Sequence, residues 1–282
     1  MTCPLVSFIV PTLNRRNDLR RFLQSADAQR DDRYEVVVVD QGTDAVGDLA
    51  SQHRHVRYLR SCDAGLSRNR NVGLRHASGE WLVFADDDCV LGDDYMRVFA
   101  EDVSPALDHP NFGFGNAVSL EDGLAIVPTF RAGRSRVASW ASDTLCSISL
   151  LFTRHTVQRA GGFDEAFGLG ARFPAGEETD LLLRLCEAGG RGTYCRRLTV
   201  MHPKRSRSRD LVDRYEVYGY AHGALARKHL RNRVYLMRFV YGLSRTLGAL
   251  VLAGGKEASL RPLYRASLGG KLRGFRAYGR SA

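Results

Sequence analysis

The sequence predicts an α/β fold: a doubly wound, mainly parallel mixed sheet flanked by helices, with a helical extension at the C-terminal end. Three observations predict it. Short apolar runs alternate with helix-length segments through the first 90 residues. The last quarter is strongly basic and carries aliphatic and aromatic residues interrupted by arginine. Of 282 residues, 44% are hydrophobic, which is enough to bury a sizeable core.

In chain order, Val6–Val10 is a continuous apolar run closed by Pro11, suited to a buried parallel strand. Leu19, Phe22, Leu23 and Ala26 recur at helical spacing over Asp18–Ala28, with Asn17 or Asp18 as the cap. Val36–Val39 and Val56–Leu59 read as the second and third strands, Ser67–His76 as a helix capped by Ser67, and Trp81–Ala85 as a fourth strand. Asn111–Ser119 and Ser147–Phe152 read as further strands, and Arg154–Ala160 as a short helix. Phe130–Ser142 reads as a loop, and Glu178–Ala188 as an amphipathic helix ended by Gly189-Gly190. Ligands collect at the carboxyl ends of strands in such sheets. Pro11–Asn14, Asp40 and Asp86–Asp88 each stand at such an end, so three polar clusters converge on one edge.

The net charge of +10 is unevenly spread. From Lys204 onward 18 Lys and Arg face 4 Asp and Glu, a balance of +14, leaving −4 for the first 203 residues. This divides the chain into a mildly acidic part at 1–203 and a basic helical region at 204–282, and it points to a polyanionic partner. The run Val234–Ala253, broken by Arg238 and Arg245, reads as helix able to lie at a membrane interface. No run reaches the length of a membrane span, and no secretory leader is expected. Six scattered cysteines without a Cys-x-x-Cys pair read as reduced thiols, which fits the cytoplasm.

Three successive aspartates at a strand end repel one another, and a divalent cation relieves that cost; Mg²⁺ or Mn²⁺ there would also grip phosphate oxygens. An acidic turn is the plainer alternative, and the strand context argues against it. Glu177, Glu178 and Asp180 open a helix, where acidic residues commonly answer the helix dipole, but a carboxylate beside a charged site also suits a general base. Gly65–Asn71 is a polar helix start with two arginines suited to a diphosphate, or to a solvated face. His202 alone reads as structural more readily than as a ligand, and only neighbouring groups would promote it.

Taken together and in order, these segments resemble family 2 inverting glycosyltransferases of the GT-A fold, of the bacterial glycan-biosynthesis type. Val6–Arg15 resembles that family's first strand and donor loop, and Val36–Asp44 its second strand. Gly65–Gly73 is similar to its Gly-x-Ser-x-x-Arg-Asn-x-Gly segment, and Gly79–Asp88 to the strand ending in Asp-x-Asp. Gly161–Glu165 and Gly176–Leu185 resemble its Gly-Gly-Phe-Asp-Glu and Gly-Glu-Asp-x-Asp-Leu blocks.

The resemblance implies donor contacts at Pro11, Thr12, Asn14, Asp40, Asp86 and Asp87, with Arg70 near the diphosphate. It implies Mn²⁺ or Mg²⁺ on Asp88, Asp86 and His202, and a base at Glu178 with Glu177 as the fallback. Glu178 stands where the family usually has Asp, and Gln41 where it usually has another acid. The implied reaction moves a sugar, from a UDP-sugar first, to a saccharide or polyprenyl-diphosphate-linked acceptor, with inversion. Trp140 within Phe130–Ser149 would meet the acceptor or, more simply, pack in the core. Outside the resemblance, the basic region would either hold the enzyme on the anionic inner face of the cytoplasmic membrane or pack on the core as a solvated helical subdomain, and no nucleic acid is expected as partner. A nucleotidyltransferase would need a Gly-rich basic loop after the first strand. A nucleic-acid-binding protein would leave the aspartates unexplained, and a dinucleotide oxidoreductase lacks its glycine fingerprint.

Overall fold

The computed structural model describes residues 5–104, 112–126, 147–204, 211–252 and 259–279. The chain opens with β1 (Val6–Thr12), α1 (Arg16–Asp27), β2 (Tyr34–Asp40), α2 (Gly47–Ala50), β3 (Val56–Arg60), α3 (Leu66–His76) and β4 (Trp81–Phe84). All four strands are parallel, in the order β3-β2-β1-β4, and Thr12 pairs with Asp40 at the carboxyl edge. Every residue of β1 and β2 is buried, because layers cover both faces; hence the unbroken Val and Ile runs. Phe8, Phe22, Trp81 and Phe99 fill one face, and Ile9, Phe84, Phe152 and Leu182 the other. On α3, a Cβ at Gly73 would lie 2.3 Å from Ile9 Cγ2, so glycine lets that helix sit directly on β1.

The second half turns the sheet mixed. After β5 (Val90–Leu91) and α4 (Tyr95–Val98), which runs into a π-helical turn at Phe99–Val103, come β6 (Phe112–Ser119), β7 (Leu150–Thr153), α5 (Arg154–Arg159), α6 (Glu177–Glu187) and β8 (Gly192–His202). The eight strands run β3-β2-β1-β4-β7-β6-β8-β5, with β7 antiparallel to both neighbours, β8 parallel to β6, and β5 antiparallel at the edge. The expected mixed sheet with flanking helices is therefore present.

Details differ from the sequence reading. α1 begins at Arg16 with no side-chain cap, and Asp18 instead pairs with Arg15 and Arg21. Gly65 holds the N-cap of α3, and Ser67 Oγ donates to Phe167 O at 2.6 Å, reaching tertiary structure rather than its own helix. β8 extends well beyond the apolar stretch Leu198–Met201: exposed Arg196 and Arg197 and a register shift opposite Phe114–Asn116 hide its alternation. Trp140 and most of Phe130–Ser149 lie outside the described residues.

The basic region forms α7 (Leu211–Lys228), α8 (Arg233–Leu252) and α9 (Arg261–Tyr278). α7 and α9 meet backbone to backbone through Gly219, Gly223, Gly270 and Gly274. A Cβ at Gly223 would stand 2.0 Å from Lys271 O, and one at Gly274 would stand 1.8 Å from Tyr220 O. α7 also joins the main body: Ala221, Ala224 and Leu225 share a core with Phe167, Phe173 and Leu183. Fully buried Asp180 on α6 clamps its end, with Lys228 Nζ at 2.6 Å, His229 Nε2 at 2.8 Å and Arg184 at 2.8 Å. Among the described residues no helix is long and apolar enough to cross a membrane.

Candidate active site

The carboxyl edge of the sheet opens into a cleft of about 980 Å³. Pro11, Gln41, Gly65 and Leu66 line one end. Arg70, Asp86, Asp87, Asp88, Glu177, Glu178 and His202 line the middle, and the start of α7 lines the other end. Two long-range staples build this edge. Asn71 on α3 accepts from Phe163 N and donates to Phe163 O, both at 2.9 Å, so the Gly65–Gly73 and Gly161–Glu165 segments are held as one unit. Gly162, at φ +75°, is required there, since a Cβ would lie 2.7 Å from Asn71 Oδ1.

Arg70 is buried (1% exposed) and bridges Glu177 Oε1 at 2.9 Å and Asp86 Oδ1 at 3.2 Å, with its guanidinium 5.4 Å from the Phe163 ring centre. It fixes two carboxylates relative to each other, besides lining the cleft. Burial raises the pKa of Asp86, against the pull of Arg70. Burial likewise pushes Asp87 up to about 6, although Thr12 Oγ1 donates to it at 2.8 Å and Arg15 stands at 3.0 Å. Asp88 goes the other way. Burial alone would raise it, but His202 and Arg15, the latter at 2.7 Å, hold its carboxyl down to about 2.

Atoms of Asp86, Asp88 and His202 that could ligate a metal lie within 4.8 Å of one another. Two observations show that these residues fit a cation. Asp88 Oδ1 is buried without a hydrogen-bond partner. His202 Nδ1 lies 2.6 Å from Pro203 O, and only an N–H can face a carbonyl at that distance. A neutral His202 therefore turns the Nε2 lone pair toward Asp88 Oδ1, 3.0 Å away. Two acceptors so placed need a positive species between them, a proton or a metal ion. Proximity to Asp88 accordingly raises the His202 pKa.

Glu177 and Glu178 enter the cleft from the first turn of α6, after Gly176 at φ +85°. Their environments separate them. Glu177 is held by Arg70, whereas Glu178 Oε2 is buried without a hydrogen-bond partner. Burial and the neighbouring Glu177 push Glu178 up to about 8.

Not every residue expected at the donor faces the cleft. Pro11 does, but Thr12 is buried behind Asp87. Asn14, at φ +55°, spends Oδ1 on the backbone amides of Thr43 and Asp44, joining the loops after β1 and β2. Asp40 is fully buried and satisfied by Gly42 N, Val46 N, Tyr58 Oη and Arg60, so it shapes that end of the cleft from beneath. Gln41 takes the surface instead, its Oε1 accepting from Gly65 N and Asn69 Nδ2. Sequence reasoning passed over Arg15, whose position directly after the Pro11–Asn14 cluster was the available signal. It passed over Arg214, Val217 and Tyr218 as well, for which helical spacing gives no hint of what the face meets.

Comparison with known proteins agrees with this geometry. Residues 7–105 match the model of Glycosyl transferase family 2. The chain is 27% identical over 241 residues to the pre-mycofactocin glycosyltransferase of Mycobacterium tuberculosis, covering 79% of this chain and 48% of that protein. The chain thus spans half or less of the length of such curated relatives. In fold it is similar to S. aureus TarS 1-349 in complex with UDP-GlcNAc, with TM-score 0.64 and 18% identity over 98% of this chain and 90% of that one. It is also similar to the mannosyltransferase PcManGT from Pyrobaculum calidifontis in complex with GDP-Man and Mn²⁺, with TM-score 0.62 and 16% identity over 97% and 88%. The ordered motifs, the mixed sheet and the carboxylate-lined cleft at its edge agree with a Glycosyl transferase family 2 domain over residues 7–105, on a GT-A-like fold.

Proposed function

We propose that this protein transfers a sugar from a nucleoside-diphosphate sugar, a UDP-sugar first, to a hydroxyl of a saccharide or lipid-linked saccharide in bacterial polysaccharide synthesis, with inversion and with a divalent metal. The observation that carries the reading is the triad Asp86, Asp88 and His202 in one cleft with an unpartnered, protonatable Glu178. Two carboxylates and one imidazole suit Mn²⁺ better than Mg²⁺, which prefers an all-oxygen shell. Bound there, the ion would supply electrostatic stabilisation of the leaving diphosphate.

The chain's own residues divide the remaining work. Glu178 takes the proton of the acceptor hydroxyl: its Oε2 has no hydrogen-bond partner, and a pKa of about 8 makes its carboxylate a strong base. Glu177 and Arg70 hold each other and keep Asp86 in place. Pro11, Gln41 and Gly65 would border the nucleoside, over the loop that Asp40 and Asn14 brace. Arg15 would follow the diphosphate once Asp88 turns to the metal.

The outward residues of α8, Met237, Tyr241 and Val251 at 65%, 63% and 78% exposure, together with the basic charge of the region, support residence on an anionic membrane face. Flotation with anionic and neutral vesicles tests that part: equal partitioning removes it. The transfer itself is tested by thermal shift with UDP, GDP and dTDP and their sugars, each with and without Mn²⁺. A nucleotide that stabilises only with Mn²⁺ supports the reading. Absence of any nucleotide effect ends it.

A further inference from the structure

We propose that the first half of α7 is the acceptor subsite of the cleft, where Arg214, Val217 and Tyr218 receive an acceptor that carries a phosphoryl group. This rests on the glycosyl-transfer reading above. The cleft has two chemically distinct ends. Gln41 and Gly65 lie at one, on loops following β2 and preceding α3; Pro203 and Lys204, which follow β8 on the opposite side of β4, lie toward the other, and Asp213, Arg214, Val217 and Tyr218 of the helix that comes next line the cleft with them. In the sheet, β1 and β2 stand on one side of β4 and β8 on the other, and β4 leads into Asp86–Asp88. A ligand extended from Gln41 toward α7 therefore passes the carboxylates partway. With the donor's nucleoside at the first end, a second substrate that reaches Glu178 has the α7 end left to it.

The chemistry of that wall selects the substrate. Arg214, Val217 and Tyr218, at spacings of three and four residues, share one helix face. Arg214 makes no hydrogen bond or ion pair among the described residues, even though Asp213 is its neighbour. Other cations of the cleft are neutralised: Arg15 by Asp87 and Asp88, Arg70 by Asp86 and Glu177, Lys204 by Asp122. A guanidinium facing a cleft without a counter-charge among the described residues matches the oxygens of a phosphoryl group. Val217 and Tyr218 beside it offer a flat apolar surface for a sugar ring or an isoprenyl chain, and the Asp213 carboxylate can accept from a sugar hydroxyl.

The wall is also built rather than loosely attached. A Cβ at Gly176, directly before Glu177, would stand 2.7 Å from Leu225 Cδ1 of α7, and the Asp180 cluster locks the end of α7 to α6. The same helix pair thus sets the subsite and the base relative to each other.

Calorimetry on the full chain, saturated with Mn²⁺ and whichever of UDP or GDP binds, tests this with two probes. Geranyl diphosphate represents a lipid-linked phosphoryl acceptor and glucose 1-phosphate a soluble one. At least one is expected to bind the nucleotide-loaded protein, and the better one names the source. Arg214→Ala should weaken that probe about tenfold or more, the weight of one charge-assisted hydrogen bond, and leave nucleotide affinity unchanged. Tyr218→Ala should weaken it with the melting temperature held. Parallel loss of nucleotide affinity would make Arg214 a donor clamp and overturn the proposal. So would unaltered probe binding by Arg214→Ala, or no probe binding by the nucleotide-loaded wild type. If no nucleotide binds at all, the transfer reading fails and takes the subsite with it; if nucleotide binds and neither probe does, only the subsite falls.

Discussion

The sheet edge and the C-terminal helices are held together by opposite means. At the edge, charged side chains crowd one another and are neutralised in pairs: Arg70 with Asp86 and Glu177, Arg15 with Asp87 and Asp88. In the helical region the closest approach is made by backbone, because Gly219, Gly223, Gly270 and Gly274 bring two helices into contact. The first arrangement is poised to exchange its internal partners for a ligand. The second can only loosen. Substitutions at the edge should therefore change chemistry and leave stability nearly intact, and substitutions among the helices should do the reverse.

Glu178→Gln gives the largest expected effect: turnover falls by about 10²–10⁴-fold, the weight of general-base catalysis, with nucleotide affinity retained. The pH profile sharpens the same point. The base must be ionised, so wild-type kcat/KM should climb with pH through about 8 and flatten above it, and Glu178→Gln should lose that limb. Asp88→Ala should lower turnover by about 10²–10³-fold, as loss of leaving-group stabilisation does. Mn²⁺ titration followed by electron paramagnetic resonance should then show the ion free in solution. A folded Asp88→Ala protein with wild-type turnover and Mn²⁺ affinity would sink the metal assignment.

On the helical side, Asp180→Asn leaves Lys228, Arg184 and His229 around a neutral group. It should cost about 3 kcal/mol by denaturant titration, the scale of breaking a buried ion pair, without altering Mn²⁺ affinity. Asp180 also sets a sign for pH: although burial would raise its pKa, His229, Arg184 and Lys228 hold it well below the carboxylate range. The stability it contributes is present above the unfolded value of about 4 and is lost as pH falls toward the lower folded value; in Asp180→Asn that dependence should flatten. Gly223→Ala should cost about 1–3 kcal/mol, as overpacking does, read as a lower melting temperature with UDP affinity unchanged. Arg15→Ala should have the smallest effect. Its guanidinium is partly exposed, so removing it should tighten Mn²⁺ binding in the absence of nucleotide by under about 1 kcal/mol.

The parallel half of the fold was legible because its strands are buried on both faces, and such strands are written as uninterrupted β-branched runs. The carboxylate cluster was legible for a related reason, since Asp86–Asp88 directly follows β4, and a strand end fixes where the next residues must be. β8 went unread as a strand, because half-exposed strands carry polar residues and its register shift breaks the alternation.

From the sequence alone came the α/β class, the convergence of Pro11–Asn14, Asp40 and Asp86–Asp88 on one edge, and the basic helical end. Each is a property of local pattern, which hydrophobic period and charge reveal directly. Tertiary structure alone decided that Asp40 and Asn14 brace the loops from within while Gln41 takes the surface, that Arg70 ties Asp86 to Glu177 and leaves Glu178 unpaired, and that α7 walls the cleft. Those outcomes depend on which of several nearby donors reaches each carboxylate first, a competition among groups as many as 107 residues apart that no local pattern records.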